Sequence, residues 1–186
     1  MYVGTHKNKN FNYLFDGIVY SVFLSLGYAL AENVHFAIQN DADMILAKAL
    51  TSVPCHLFVG ILMGYYYTMW HMRFLANGIE NKMLKAGIVK EDKVRSSAGW
   101  MICSLCVPVL VNGLYVLAAS IKDSTLTMIF YAVVFILYGI SFLAIKHIAT
   151  QDDSSTRYLR RVISKGHPEV GMEAIEGIVN AREEER

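Results

Sequence analysis

Four apolar segments, each close to the roughly 20 residues an α-helix needs to cross the hydrocarbon core of a bilayer, constrain this chain more than any other feature. They run from about Gly17 to Ile38, Ala49 to Trp70, Gly99 to Ser120 and Leu126 to Ile145. In hydrocarbon every backbone N–H and C=O must be satisfied within its own segment or in a closed barrel, so apolar runs of this length become helices. The expected fold is all-α: a polytopic transmembrane helix bundle with about four membrane spans over residues 1–149, then a short cytoplasmic helical tail over 150–186. At 54% hydrophobic residues and a formal net charge of +1, the chain is neither disordered nor built to seek nucleic acid, and its first partner is membrane lipid.

The first segment does not read as a cleaved signal. It contains Glu32 and Asn33, exceeds a signal's apolar core in length, and has no small-residue cleavage site after it. Cys55, Cys103 and Cys106 lie in apolar stretches, where free cysteine packs as a small hydrophobe. With four spans, the N-terminal arm, the loop from Arg73 to Ser97 and the tail after Ile145 share one side of the membrane. That side carries Lys7, Lys9, Arg73, Lys82, Lys85, Lys90, Lys93, Arg95, Lys146, Arg157, Arg160, Arg161 and Lys165, against Lys48 and Lys122 opposite. The positive-inside rule therefore places both termini in the cytoplasm. Within the middle loop, Ile79, Met83 and Leu84 at helical spacing before Gly87 predict a short helix on the cytoplasmic face. In the tail, Ser154 or Ser155 can cap RYLRRVIS, Gly166 ends it, and Pro168 suits the first turn of a second helix.

Polar residues inside hydrocarbon are expensive, and usually face a bundle interior where they serve a pathway, a ligand or chemistry. Glu32 lies deep in the first span with no basic neighbour in its own helix, and Tyr28, four residues earlier, shares its face. Glu32 and His35 have the i, i+3 spacing of paired metal ligands, but bundle di-metal sites need a second such copy and the sequence has none. In the second span, Pro54 frees a carbonyl one turn earlier and can kink the helix beside His56. Gly60 and Gly64 form a G-x-x-x-G surface that either packs a neighbouring helix or makes room for substrate. In the third span Pro108, Asn112 and Gly113 interrupt the apolar run, and Asn112 can hydrogen-bond across helices. The fourth span, without an ionisable residue between Leu126 and Ile145, reads as scaffold.

From Phe15 to Leu117 these features, in this order, resemble the PrsW family of intramembrane proteases, membrane relatives of the CAAX-processing enzymes. FDGIVYSVFLSLGYALAEN is similar to the family's hallmark helix, with Tyr28-x-x-x-Glu32 at its aromatic-x-x-x-Glu motif. SVPCHLFVGILMGYYY resembles its Pro-x-His-x-x-x-Gly segment and places His56 and Gly60. PVLVNGLYVL aligns with a stretch that typically reads His-Gly-x-Tyr-Asp, so Asn112 and Val116 stand at two polar positions of that motif. The resemblance also leads one to expect a Glu-Glu-x-x-Lys helix before Phe15. These 186 residues contain none, as in a fragment of a longer enzyme or a relative with an incomplete site.

The resemblance implies an intramembrane endopeptidase of a bacterial or archaeal plasma membrane that cleaves a membrane-anchored regulatory protein, such as an anti-sigma factor. It implies catalytic roles for Glu32, His56 and Asn112, and substrate contacts at Tyr28, Asn33 and Gly60. Glu32 can act as base, and His56 can orient the water, donate to the oxyanion or bind a metal. No cofactor is required by the sequence. A divalent metal such as zinc would be under-liganded by one Glu and one His, since catalytic zinc usually takes three protein ligands. Two other classes use the same residues: a non-catalytic scaffold that binds a transmembrane helix or lipid, and a small transporter or channel with Glu32 on a proton or ion path.

Overall fold

The computed structural model describes residues 13–90, 96–121, 124–150 and 154–184. They form six helices: α1 (Asp16–Gln39), α2 (Ala42–Lys85), α3 (Ala98–Ala119), α4 (Ser124–Thr150), α5 (Ser155–Gly166) and α6 (Met172–Glu184). The first four are long and apolar enough to cross a membrane, so the fold is the all-α polytopic bundle expected. Their outward faces carry large apolar side chains such as Phe23, Ile38, Leu110 and Phe135, as lipid-facing helices require.

Helix α2 is the axis of the bundle and packs against α1, α3 and α4. Its 44 residues extend about 66 Å at 1.5 Å per residue, twice the hydrocarbon thickness. The helix expected in the middle loop is present, but no loop sets it apart: Ile79, Met83 and Leu84 belong to a continuation of α2 past Trp70. Between Trp70 and Lys85 there is no proline, and the first residue to leave right-handed backbone space is Gly87, at φ 71°. There Ile88 N–H donates to the Met83 carbonyl and Gly87 N–H to that of Leu84, a Schellman closure that needs glycine at its left-handed position.

The extension is stabilised by the tail. Met72, Ile79 and Met83 of α2 form one core with Leu159 and Ile163 of α5 and Ile175 and Val179 of α6. Leu159 and Ile163 recur at i, i+4, which gives α5 a single apolar stripe. The Ser154 hydroxyl accepts from Arg157 N–H and caps α5, as the sequence suggested. Pro168 does not start α6. It lies in a turn closed by Val170 N–H onto the His167 carbonyl, and α6 begins at Met172. His167 from that turn pairs with Glu80 of α2, both side chains being 1% exposed, and its Nδ1 lies 3.2 Å from Glu169.

Helices α1 and α2 approach closely because α1 turns small residues inward every fourth position: Gly17, Ser21, Ser25 and Ala29. Facing them, a Cβ on Gly60 would stand 2.9 Å from the Val22 Cα, and one on Gly64 only 2.5 Å from the Ile18 Cα. On the other flank of α2, Cys55 and Val59 pack with Tyr115 of α3 and Val134 of α4. An isolated bridge joins Tyr13 to Ser154, and Trp100 lies 6.4 Å from Tyr65 and 6.1 Å from Tyr66. The start of α1, the start of α3 and the tail thus share one end of the bundle. Lys7, Lys9, Lys93, Arg95 and Lys122, which entered the charge argument, lie outside the described residues.

Candidate functional site

Glu32 follows Ala29 by three residues, so the small-residue stripe that seats α1 on α2 continues directly into its carboxylate. Opposite it on α2 is His56, two residues after Pro54 and 3% exposed. Glu32 Oε2 and His56 Nε2 are 3.0 Å apart, which joins the first and second spans through the two costliest residues of the sequence. The Ser25 hydroxyl donates to the His56 backbone carbonyl at 2.7 Å and adds a second tie between the same helices.

The other Glu32 oxygen, Oε1, lies 2.6 Å from Lys48 Nζ. Helix α1 has no lysine or arginine, as expected, and the partner that neutralises Glu32 comes from the next helix: α2 begins at Ala42 and carries Lys48 on the face of His56, a little over two turns earlier. Lys48 entered the sequence reading only through the charge asymmetry of the loops and was missed as a site residue. The detectable signal was the helical stretch ADMILAKAL with a lysine eight residues before a buried histidine. The Lys48 ammonium also lies 5.9 Å from the Phe36 ring centre and 6.0 Å from that of Tyr115. Tyr115, likewise passed over as a site residue, is buried and donates its hydroxyl to Thr51 Oγ1 at 3.1 Å.

His56 also lines an open cleft of about 250 Å³ between α1 and α3, together with Ser25, Tyr28, Pro108 and Asn112. The Tyr28 ring centre is 5.4 Å from that of His56, at an interplanar angle of 56°. The structure thus gathers Tyr28, Glu32, His56 and Asn112, with Glu32 behind the imidazole and Asn112 across the cleft. Asn33 is half-buried and its Oδ1 has no hydrogen-bond partner among the described residues. Gly60 faces the α1 backbone. His35 is exposed, and Val116, at 51% exposure, turns outward.

A catalytic zinc usually takes three protein ligands. Among the described residues no group of three His, Cys, Asp or Glu side chains could hold a metal ion. The Lys48 ammonium already occupies one oxygen of Glu32 and would repel a dication placed there. The donor set described here does not fit a catalytic zinc.

A family described as "PrsW family intramembrane metalloprotease" matches residues 1–142. The chain is 34% identical to Protease PrsW of Halalkalibacterium halodurans over 115 residues, 62% of this chain and 44% of that protein. Against Protease PrsW of Bacillus subtilis it is 32% identical over 113 residues, 61% of this chain and 43% of the relative. For Protease PrsW of Clostridioides difficile the figures are 27% over 134 residues, 69% and 49%. The chain thus spans less than half the length of these curated relatives. No solved structure matches it.

Proposed function

The chain belongs to the PrsW family of intramembrane proteases, and from that premise we propose that Glu32 and His56 form the proton-transfer centre of a membrane-embedded peptidase. The observation that carries this is the 3.0 Å contact of Glu32 with an imidazole that lines a cleft shared with Tyr28 and Asn112. A carboxylate only accepts, so His56 Nε2–H donates to Glu32 and the Nδ1 lone pair is left as the base. A water in the cleft gives its proton to His56, and its oxygen adds to the scissile carbonyl carbon. The Glu32 charge stabilises the imidazolium that forms. His56 then passes the proton to the leaving amine as the C–N bond breaks, while the Asn112 amide donates to the oxyanion. Tyr28 lines the substrate side of the cleft, Gly60 serves it only by letting α1 approach α2, and Asn33 stands next to Glu32 on α1. The proposed substrate is a membrane-anchored regulatory protein such as an anti-sigma factor, cut in a bacterial plasma membrane. The excess of basic residues on the arm, middle loop and tail supports a cytoplasmic side for that end of the bundle.

The test is cleavage of a single-span substrate by the reconstituted chain. H56A removes the general base and E32Q the charge that orients it and stabilises its imidazolium, and each is expected to lower kcat/KM at least about 100-fold. Cleavage unaffected by either substitution would refute the reading.

A further inference from the structure

We infer that Lys48 is the positioning residue of this site, the cation that holds the Glu32 carboxylate in the orientation in which it serves His56. The inference rests on the peptidase reading above. It starts from the fork at Glu32: Oε1 is 2.6 Å from Lys48 Nζ and Oε2 is 3.0 Å from His56 Nε2. A carboxylate with one oxygen released can rotate about its last torsion, which is broad and has no strong staggered preference. With both oxygens held by donors on α2, one at each side, it presents a fixed acceptor to the imidazole.

Lys48 is itself placed by three helices. Its ammonium lies near the Phe36 ring of α1 and the Tyr115 ring of α3. Tyr115 is tied through its hydroxyl to Thr51, and the Thr51 hydroxyl is tied to the carbonyls of Ala47 and Lys48. A lysine that merely extended its stem along apolar surface would carry its charge out to water. This one is 23% exposed and is spent on Glu32. Lys48 does not line the cleft that holds His56, so it acts through Glu32 and touches no substrate. It also supplies, from within the chain, the positive charge that the described donors are too few to recruit as a metal ion.

Two measurements on the intact chain test this. The first is competitive acetylation in detergent micelles, with Lys85, which is exposed, as internal reference. E32Q is expected to raise the labelling rate of Lys48 about tenfold relative to Lys85, the factor that matches loss of a charge-assisted hydrogen bond. Equal rates in E32Q and the parent would overturn the pairing, whatever the protein's activity. The second is turnover. K48M is expected to lower kcat about 10–100-fold with KM within about twofold, and K48R to recover most of that loss. A K48M protein that folds, by its circular dichroism and thermal midpoint, and turns over like the parent overturns the positioning role. So does one that K48R does not rescue. If E32Q leaves turnover intact, the peptidase reading fails instead, and the acetylation result still reports on the lysine.

Discussion

Substituting Gly64 with alanine adds one methyl group where the α1 backbone stands in the way. The new Cβ would lie 2.5 Å from the Ile18 Cα, 2.7 Å from the Gly17 carbonyl oxygen and 3.0 Å from the Ile18 nitrogen. All three neighbours are backbone, so no side chain can swing aside, and α1 has to retreat by about 1 Å to restore ordinary contact. Overpacking of this kind costs about 1–3 kcal/mol, and the better helix propensity of alanine returns roughly 1 kcal/mol, for a net loss of about 1 kcal/mol and at most about 2. The same retreat reaches the site, because Gly64 is only eight residues, about 12 Å along α2, from His56. A carboxylate held at 3.0 Å by α1 leaves hydrogen-bond range with far less than 1 Å of movement. A misplacement of that size lowers turnover by about 100-fold. Gly60→Ala, whose Cβ would meet the Val22 Cα at 2.9 Å, is expected to fall between Gly64→Ala and the parent. Gly27→Ala and Gly113→Ala have nothing within 4 Å and are expected to be neutral or slightly stabilising. Thermal unfolding in micelles and cleavage of a single-span substrate read the two consequences. A Gly64→Ala protein as stable and as active as Gly113→Ala would refute the close approach of α1 and α2 as the basis of the site.

Three further outcomes are expected. Ser25→Ala removes the donor to the His56 carbonyl at 2.7 Å and should destabilise the protein by about 1 kcal/mol in chemical unfolding; an unchanged midpoint would contradict that tie. Glu80→Ala leaves the buried Nε2 of His167 without its acceptor, with only Glu169 remaining on Nδ1, and should cost about 1–3 kcal/mol. The loss should be confined to the α2 extension and tail, so amide exchange rises at Leu159 and Ile163; protection equal to the parent's would count against it. Finally, dialysis against micromolar zinc should leave no stoichiometric metal on the chain, and a chelator should not shift its thermal midpoint. One zinc retained per chain would show that the donor set has been misjudged.

Much of the architecture was legible because it depends on local quantities. The first, third and fourth helices extend only a few residues beyond the apolar segments that announced them, and Ser154 caps α5 at the expected place. The second helix was read too short at both ends, since Lys48 and the polar residues after Trp70 end an apolar run without ending a helix. Hydropathy locates what the bilayer must hide, whereas helix termini depend on breakers and caps, and here those lie at Asp41 and Gly87. The tail was legible as two helices but not as a partner for α2, because an apolar stripe shows that a face will be buried without showing against what.

For the site, the cost of a carboxylate and an imidazole in hydrocarbon was enough to single out Glu32 and His56 from their positions in the sequence. Their pairing was a matter of register. The small stripe Gly17, Ser21, Ser25 and Ala29 meets Gly60 and Gly64 at one offset, and that offset alone brings Glu32 between Lys48 and His56. That the chain crosses a membrane and holds two ionisable groups within it follows from the residues one at a time, because transfer free energies belong to the residues themselves. That a lysine from the next helix shares the carboxylate came from the packing of α1 on α2, because which side chains meet across an interface depends on how two backbones pack and on nothing within either segment alone.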